Sequence, residues 1–322
     1  MNIFFPKEHI NEARFSLTGE TAEKFLKKNI DLYVEETVQF QDALLNNLIE
    51  TAKVKTVSRQ QGLSSADIIC SLNKLSLDDI AHVKQDTLVV SFLDPFNEVE
   101  LISELKNRSI SSISMELVPR TTRAQKMDAL SSQANLAGYS AVIIASNHLE
   151  KALPMMMTAA GTISPSKVFV VGVGVAGLQA IATAKRLGAR VEAFDTREEV
   201  EDQVKSLGAR FVKIDLGETE QTSQGYAKAL TADQIKKQQE GMKKVCSSSD
   251  IVITTAQVFG RPAPKIITAE MVEAMQPGSV VVDMAVSSGG NVEGSKKGEI
   301  VDIKGIKIIG NVNLPGEVPT HA

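Results

Sequence analysis

The 322 residues exceed a typical single domain, so two domains are expected. Hydrophobic residues at 43% and charged residues at 23% give the balance of an ordinary globular chain, and a net charge of −4 offers no basic face to a nucleic-acid backbone. Aromatics at 4%, no Trp, two distant cysteines (Cys70, Cys246) and four scattered His exclude base-stacking platforms, a disulfide framework and a zinc site.

The chain begins with an apolar run at Asn2–Phe5, but Lys7 and Glu8 follow too early for a secretory segment. Further apolar runs at Asp31–Val34, Asp67–Leu72, Thr87–Leu93 and Ile110–Leu117 predict buried strands. Helical patterns at Thr21–Lys28 and Asn97–Asn107 separate some of them, and Gln41–Ala52 also reads as helix. Such alternation implies a parallel sheet covered on both faces.

Pro119 breaks the pattern, and a long helix is expected from Thr122 towards Asn147. Thr122 and Gln125 have the spacing of a capping box. On that helix Gln125, Asp128, Ser132 and Asn135 make a polar stripe with Ser131 at its edge, opposite Met127, Leu130, Ala134 and Ala137. A second helix is expected at Lys151–Ala160.

Alternation resumes at Lys167, with strands expected at Val168–Val171, Arg190–Phe194, Arg210–Lys213, Asp250–Thr254, Ser279–Asp283 and Lys307–Ile309. Helices are expected at Ala176–Leu187, Glu198–Leu207, Thr231–Val245 and Ala269–Met275. Asp215–Lys228 is too long and polar for a routine turn and reads as a lid. Val168–Ala184 is uncharged, but its three glycines and Gln179 argue for a soluble segment rather than a membrane span. The fold expected is α/β: two Rossmann-like parallel-sheet domains with an inter-domain cleft. The first spans 1–125, with 311–322 a candidate to return to it. The second spans 126–310 and binds the dinucleotide; a long helix joins the two.

Gly172-Val173-Gly174-Val175-Ala176-Gly177 carries the G-x-G-x-x-G spacing between a strand and a helix, and Asp195 ends the next strand. Gly172 permits a tight turn, Gly174 admits a pyrophosphate, and Gly177 allows close helix–strand packing. The free amides and dipole of the helix start favour a diphosphate. The Asp195 carboxylate suits ribose hydroxyls and opposes a 2′-phosphate, favouring NAD(H), with Arg197 nearby as a counterweight. The same glycines also fit plain strand–helix packing without a ligand.

Pro119 to Asn135 (PRTTRAQKMDALSSQAN) resembles the signature of the NAD(H)-binding domain of proton-translocating NAD(P) transhydrogenase. Asp195-Thr196-Arg197, Gly225-Tyr226-Ala227-Lys228, Thr254-Thr255-Ala256, Gly260-Arg261-Pro262-Ala263-Pro264 and Gly289-Gly290-Asn291 match it in order. The resemblance implies direct hydride transfer between NAD(H) here and NADP(H) on a partner domain, with no general acid or base. It implies that Arg120, Gln125, Asp128 and Ser131 surround the nicotinamide end, among Thr121, Thr122, Arg123, Lys126 and Met127. It also implies that Gly172, Gly174, Val175, Ala176, Gly177, Asp195, Thr196 and Arg197 hold the adenosine half and pyrophosphate. Gly225 and Tyr226 would belong to a mobile lid, with Gln238, Thr255, Ala256 and Gln257 near the cofactor. A membrane-spanning proton channel, a homodimer, and a soluble domain peripheral to a membrane (at the cytoplasmic face or matrix side) are implied too. Read as helix alone, Gln125 would complete the capping box and Asp128 would pair with Arg123 or Lys126.

The chain also resembles alanine dehydrogenase throughout. That chemistry needs a carboxylate-binding Arg, a Lys, a His and an Asp. Arg14 matches the first, whereas Asn73 (beside Lys74), Asp94 and Ser287 stand at the other three positions. An NAD-binding module without catalysis is the third reading.

Overall fold

A computed structural model describes residues 1–36, 38, 41–217, 231–257 and 260–322. It divides into two compact units: Met1–Ser132 with Gly316–Ala322, and Gln133–Pro315.

In the first unit the elements run β1 (Asn2–Phe5), α1 (Gly19–Leu26), β2 (Asp31–Glu35), α2 (Ala43–Glu50), β3 (Val54–Val57), α3 (Arg59–Ser65) and β4 (Ile68–Asn73). They continue with α4 (Leu77–His82), β5 (Leu88–Phe92), α5 (Val99–Asn107) and β6 (Ser111–Ser114). The sheet order is β3-β2-β1-β4-β5-β6, with every pairing parallel. Strand alternation builds two cores: Phe4 packs with Leu63, Ile80 and Leu101, while Ile3 and Phe5 pack with Leu17, Ala22 and Leu45.

Helix α6 (Ala129–His148) contains the division between the units. Beyond it come the hairpin β7 (Met156–Thr158) and β8 (Gly161–Ile163), then β9 (Lys167–Val171), α7 (Val175–Arg186), β10 (Arg190–Phe194), α8 (Glu201–Ser206) and β11 (Arg210–Phe211). The chain continues with α9 (Ala232–Ser247), β12 (Ile251–Thr254), α10 (Ala269–Glu273), β13 (Val280–Asp283), β14 (Ile300–Ile303) and β15 (Ile306–Ile309). The sheet order is β11-β10-β9-β12-β13-β15-β14, parallel except for β14 at one edge. Val168 and Val170 face Ala141, Ala145, Ala180 and Ile181, whereas Phe169 and Val171 face Met242, Cys246 and Met271.

Both sheets therefore reverse direction of growth beside their first strand, the position where open α/β sheets bind ligands beyond the strand C-termini. Among the described residues no helix is long and apolar enough to cross a membrane.

Two expected helices differ in the structure. The long helix starts at Ala129 rather than Thr122; residues 121–124 form a turn and Gln125–Met127 a short 3-10 segment. Asp128 caps it: the Ser131 N–H donates to Asp128 Oδ1 at 2.9 Å and the Ser131 hydroxyl to Oδ2 at 2.6 Å. The expected Thr122–Gln125 capping box therefore gives way to a cap six residues further on, and Met127, expected on a packed face, is 55% exposed. The expected helix at Lys151–Ala160 is the β7–β8 hairpin instead. Gly161 takes φ +138°, and the Thr158 hydroxyl accepts from the Ala160 N–H and donates to the Gly161 carbonyl, closing a turn that a helix could not contain.

Candidate dinucleotide site

Strand β9 delivers the chain to Gly172, which has φ +96° and donates its N–H to the Phe194 carbonyl at 2.8 Å. A Cβ there would stand 2.5 Å from the Thr255 hydroxyl. At Gly177 a Cβ would stand 1.9 Å from the Gly172 carbonyl, so only glycine lets α7 start this close to the turn. Gly174, by contrast, faces open space: nothing lies within 4 Å of its added Cβ. Helices α1, α2, α3, α4, α9 and α10 all start on a Ser, Thr or Asp whose side chain accepts from the first turn, but α7 starts on Gly174 with no side-chain cap. Its amide end, with Gly174 and Val175 exposed, is left for an anion.

Strand β10 places Asp195 beside that turn. Its Oδ2 accepts from the Val173 N–H at 2.7 Å and Arg197 Nη2 at 2.8 Å, and its Oδ1 accepts from the Arg197 N–H at 3.0 Å and Nε at 2.9 Å. The pair is nearly buried, with side chains 7% and 16% exposed. Hydrogen bonds from Arg197 to the Asp195 carboxylate hold the guanidinium above the usual arginine range. Sequence reasoning expected a bare carboxylate facing a ribose; the structure presents an ion pair whose four acceptor positions are filled.

Strand β12 brings in Thr255, whose hydroxyl donates to the Gly172 carbonyl at 3.0 Å, and Ala256, held by Asn291. Gln257 is exposed, and its Nε2 donates to the Met284 carbonyl at 2.9 Å. Gln238 is buried on α9, and Thr196 is half-buried. Gly225, Tyr226 and most of the expected lid lie outside the described residues.

In the first unit, Arg120, Thr121, Thr122, Arg123, Gln125, Lys126 and Met127 are exposed on the turn before α6. Burial alone would raise the Asp128 carboxyl, but the two hydrogen bonds from Ser131 and the charge of Arg120 outweigh it and hold it below its ordinary value. Asp128 thus pairs with Ser131 and Arg120, not with Arg123 or Lys126 as a plain helix reading expects.

The corresponding end of the first unit's sheet looks different. Glu8 accepts from the Leu72 N–H at 2.6 Å and the Asn73 N–H at 3.0 Å, Glu116 from the Leu93 and Asp94 N–H groups, and Glu35 from the Lys7 N–H. Arg14 pairs with Glu12, and Lys74 with Glu98. Internal carboxylates take up amides and cations there.

Two residues in the second unit carry structural weight that spacing alone did not reveal. Asp283, fully buried, accepts from the Ala285, Asn291 and Val292 N–H groups. Asn291 is also fully buried; in the sequence it stands out only as the end of a matching motif.

A parallel α/β unit with a glycine turn, an uncapped helix and an acid on the neighbouring strand is a dinucleotide-binding class of domain. The family model described as "Alanine dehydrogenase/PNT, N-terminal domain" matches residues 4–137, and the one described as "Alanine dehydrogenase/PNT, C-terminal domain" matches 141–322. The chain is 44% identical to an NAD(P) transhydrogenase subunit alpha chain of Rickettsia prowazekii (strain Madrid E), over 100% of its length and 86% of the relative. Among solved structures, transhydrogenase from Sinorhizobium meliloti matches with a TM-score of 0.85 at 39% identity, covering 100% of this chain and 89% of that one. An L-alanine dehydrogenase shares the fold, with a TM-score of 0.80 at 23% identity over 100% of this chain and 85% of that one. The chain belongs to the alanine dehydrogenase/PNT family, in which its relatives of higher identity are NAD(P) transhydrogenase alpha subunits.

Proposed function

We propose that the chain is the NAD(H)-binding catalytic component of a proton-translocating transhydrogenase. The carrying observation is the uncapped start of α7, framed by Gly172, Gly174 and Gly177 and backed by Thr255 and Asp195. The fit is good: Gly174 leaves room for a pyrophosphate where a side chain would intrude, and the helix dipole favours its charge.

In this reading Val175, Ala176 and the glycine turn hold the diphosphate, with Asp195, Thr196 and Arg197 at the adenosine ribose. Arg120, Gln125, Asp128 and Ser131, with their neighbours Thr121, Thr122, Arg123, Lys126 and Met127, take the nicotinamide end. Gln238, Thr255, Ala256 and Gln257 line the cofactor, and Gly225 and Tyr226 close over it. The nicotinamide supplies hydride exchange with NADP(H) on a partner domain; the chain's own residues orient the ring and exclude water. A membrane-spanning channel supplies the proton path, the chain works as a homodimer peripheral to the membrane, and nucleic acid plays no part.

Amino-acid oxidation is less well supported. The Arg14 guanidinium is engaged by Glu12, and Lys74 by Glu98, so the groups nearest to a substrate carboxylate and a proton acceptor are already paired. The test mixes the chain with an NADP(H)-binding domain and follows reduction of an NAD analogue by NADPH. Transfer is expected. NADH formation from L-alanine would overturn the reading in favour of a dehydrogenase, and tight NADH binding without any transfer would favour a binding module.

A further inference from the structure

Thr255 supports the glycine turn from below: its N–H donates to the Val171 carbonyl at 2.8 Å and its hydroxyl to the Gly172 carbonyl at 3.0 Å. The next residue, Ala256, has both of its backbone polar groups taken by one side chain. The Ala256 N–H donates to Asn291 Oδ1 at 3.1 Å, and Asn291 Nδ2 donates to the Ala256 carbonyl at 2.8 Å. The same Nδ2 donates to the Pro264 carbonyl at 2.9 Å.

Asn291 has no polar group left over. Its N–H donates to Asp283 Oδ1 at 3.1 Å, and its carbonyl accepts from the Ile266 and Ile267 N–H groups at 2.8 and 3.0 Å. A fully satisfied buried network of this kind fixes one arrangement of the loops it joins. Asn291 is fully buried, so it reaches a ligand only through other residues.

We infer that Asn291 is a positioning residue for dinucleotide binding: it splints Ala256, so that the Thr255 hydroxyl holds the Gly172 turn against the diphosphate. Buried Asp283 anchors the splint, and Gly290 (φ +80°) is required beside it because a Cβ would stand 2.6 Å from Asp283 Oδ2. This inference rests on the dinucleotide reading above.

The test compares the full-length chain with Asn291→Ala and Asn291→Asp, measuring NADH affinity by fluorescence titration and ADP affinity by competition. Circular dichroism and thermal midpoints report the folded fraction. Asn291→Ala is expected to weaken NADH and ADP in parallel, by about tenfold, because the diphosphate turn is common to both. In Asn291→Asp a carboxylate faces the Ala256 and Pro264 carbonyls, and protonation restores a donor to one of them. Its NADH affinity therefore recovers as pH falls, relative to wild type. The charged groups near this position are Asp283, on the residue's own N–H, and Lys265, whose Nζ donates to the Gly289 and Val292 carbonyls. Should Asn291→Ala fail to fold, Asn291→Asp still decides by its pH profile.

Variants that melt earlier yet bind NADH and ADP like wild type would overturn the inference, leaving Asn291 a structural residue only. Loss of NADH affinity with ADP affinity intact would overturn it too. A wild-type chain that binds neither ligand instead removes the dinucleotide reading itself.

Discussion

At Asp195 the structure changes what a familiar acid does. Its carboxylate is filled by the Val173 amide and the Arg197 guanidinium, so a 2′-phosphate meets an ion pair rather than a lone negative charge. Replacing Arg197 by Leu bares the carboxylate, and the preference for NADH over NADPH is expected to widen by about tenfold. Affinities measured for both cofactors check this; an unchanged ratio contradicts it. Asp128 and Thr122 make a second contrast. Asp128→Ala removes the observed cap of α6 and is expected to cost about 1 kcal/mol in urea unfolding, whereas Thr122→Ala, on an exposed turn, stays within about 0.5 kcal/mol. Equal losses would show that the cap is not at Asp128. The glycine turn and Asp195 were legible in the sequence because residues 172–177 act locally and the acid ends the very next strand. Asn291 was not, since its partner Ala256 lies 35 residues away and no periodicity reports such a bond.

Elements that are apolar along their length were legible. Strands β1, β2, β4, β5, β9 and β10, and helices α1, α5 and α7, fall where buried runs and 3.6-residue patterns predict them. Strand β3 escaped because Lys55 and Thr56 are exposed at the sheet edge, and α3 and α4 because one or two polar turns leave too short a pattern. Edge strand β14 escaped for the same reason: Ile300 is 52% exposed and interrupts the buried pattern. At this scale α6 and α7 meet at a single close point. A Cβ on Gly138 would stand 2.2 Å from the Ala176 carbonyl, which is backbone and cannot swing away. Gly138→Ala is therefore expected to push α6 off the start of α7, destabilising the fold by about 1–3 kcal/mol and weakening NADH binding. Thermal melting with NADH titration checks it, and a variant as stable as wild type would contradict it. The loop after β1 adds a pH dependence. Burial raises the Glu8 carboxyl above its ordinary 4.5, against the Leu72 and Asn73 amides that favour its charge, and Glu12 adds to the rise. Folding thus favours the protonated form, a contribution present below pH 4.5 and lost as pH rises through the raised value. Wild type is expected to lose ground to Glu8→Gln between about pH 4 and pH 7 in urea unfolding; a flat difference contradicts this.

Across the whole chain the same strand order occurs twice, extended by one edge strand in the second sheet, yet the two sheets end in opposite chemistry. The fold class was legible from strand–helix alternation, and the family from motifs spread along both units; the difference between the sheet ends was not, because it depends on carboxylates far in sequence from the amides they serve. Glu8 reaches 64 residues to the Leu72 amide, and Glu116 reaches back 22 to that of Asp94. Being tethered, these groups sit at high effective concentration, and a dissolved phosphate must out-compete them to gain the same donors. Calorimetric titration with ADP is accordingly expected to saturate at a single equivalent per chain, with the heat assigned to the glycine turn. A second equivalent would mean that the tethered acids yield to a guest, and that topology alone, repeated, is enough to recruit one.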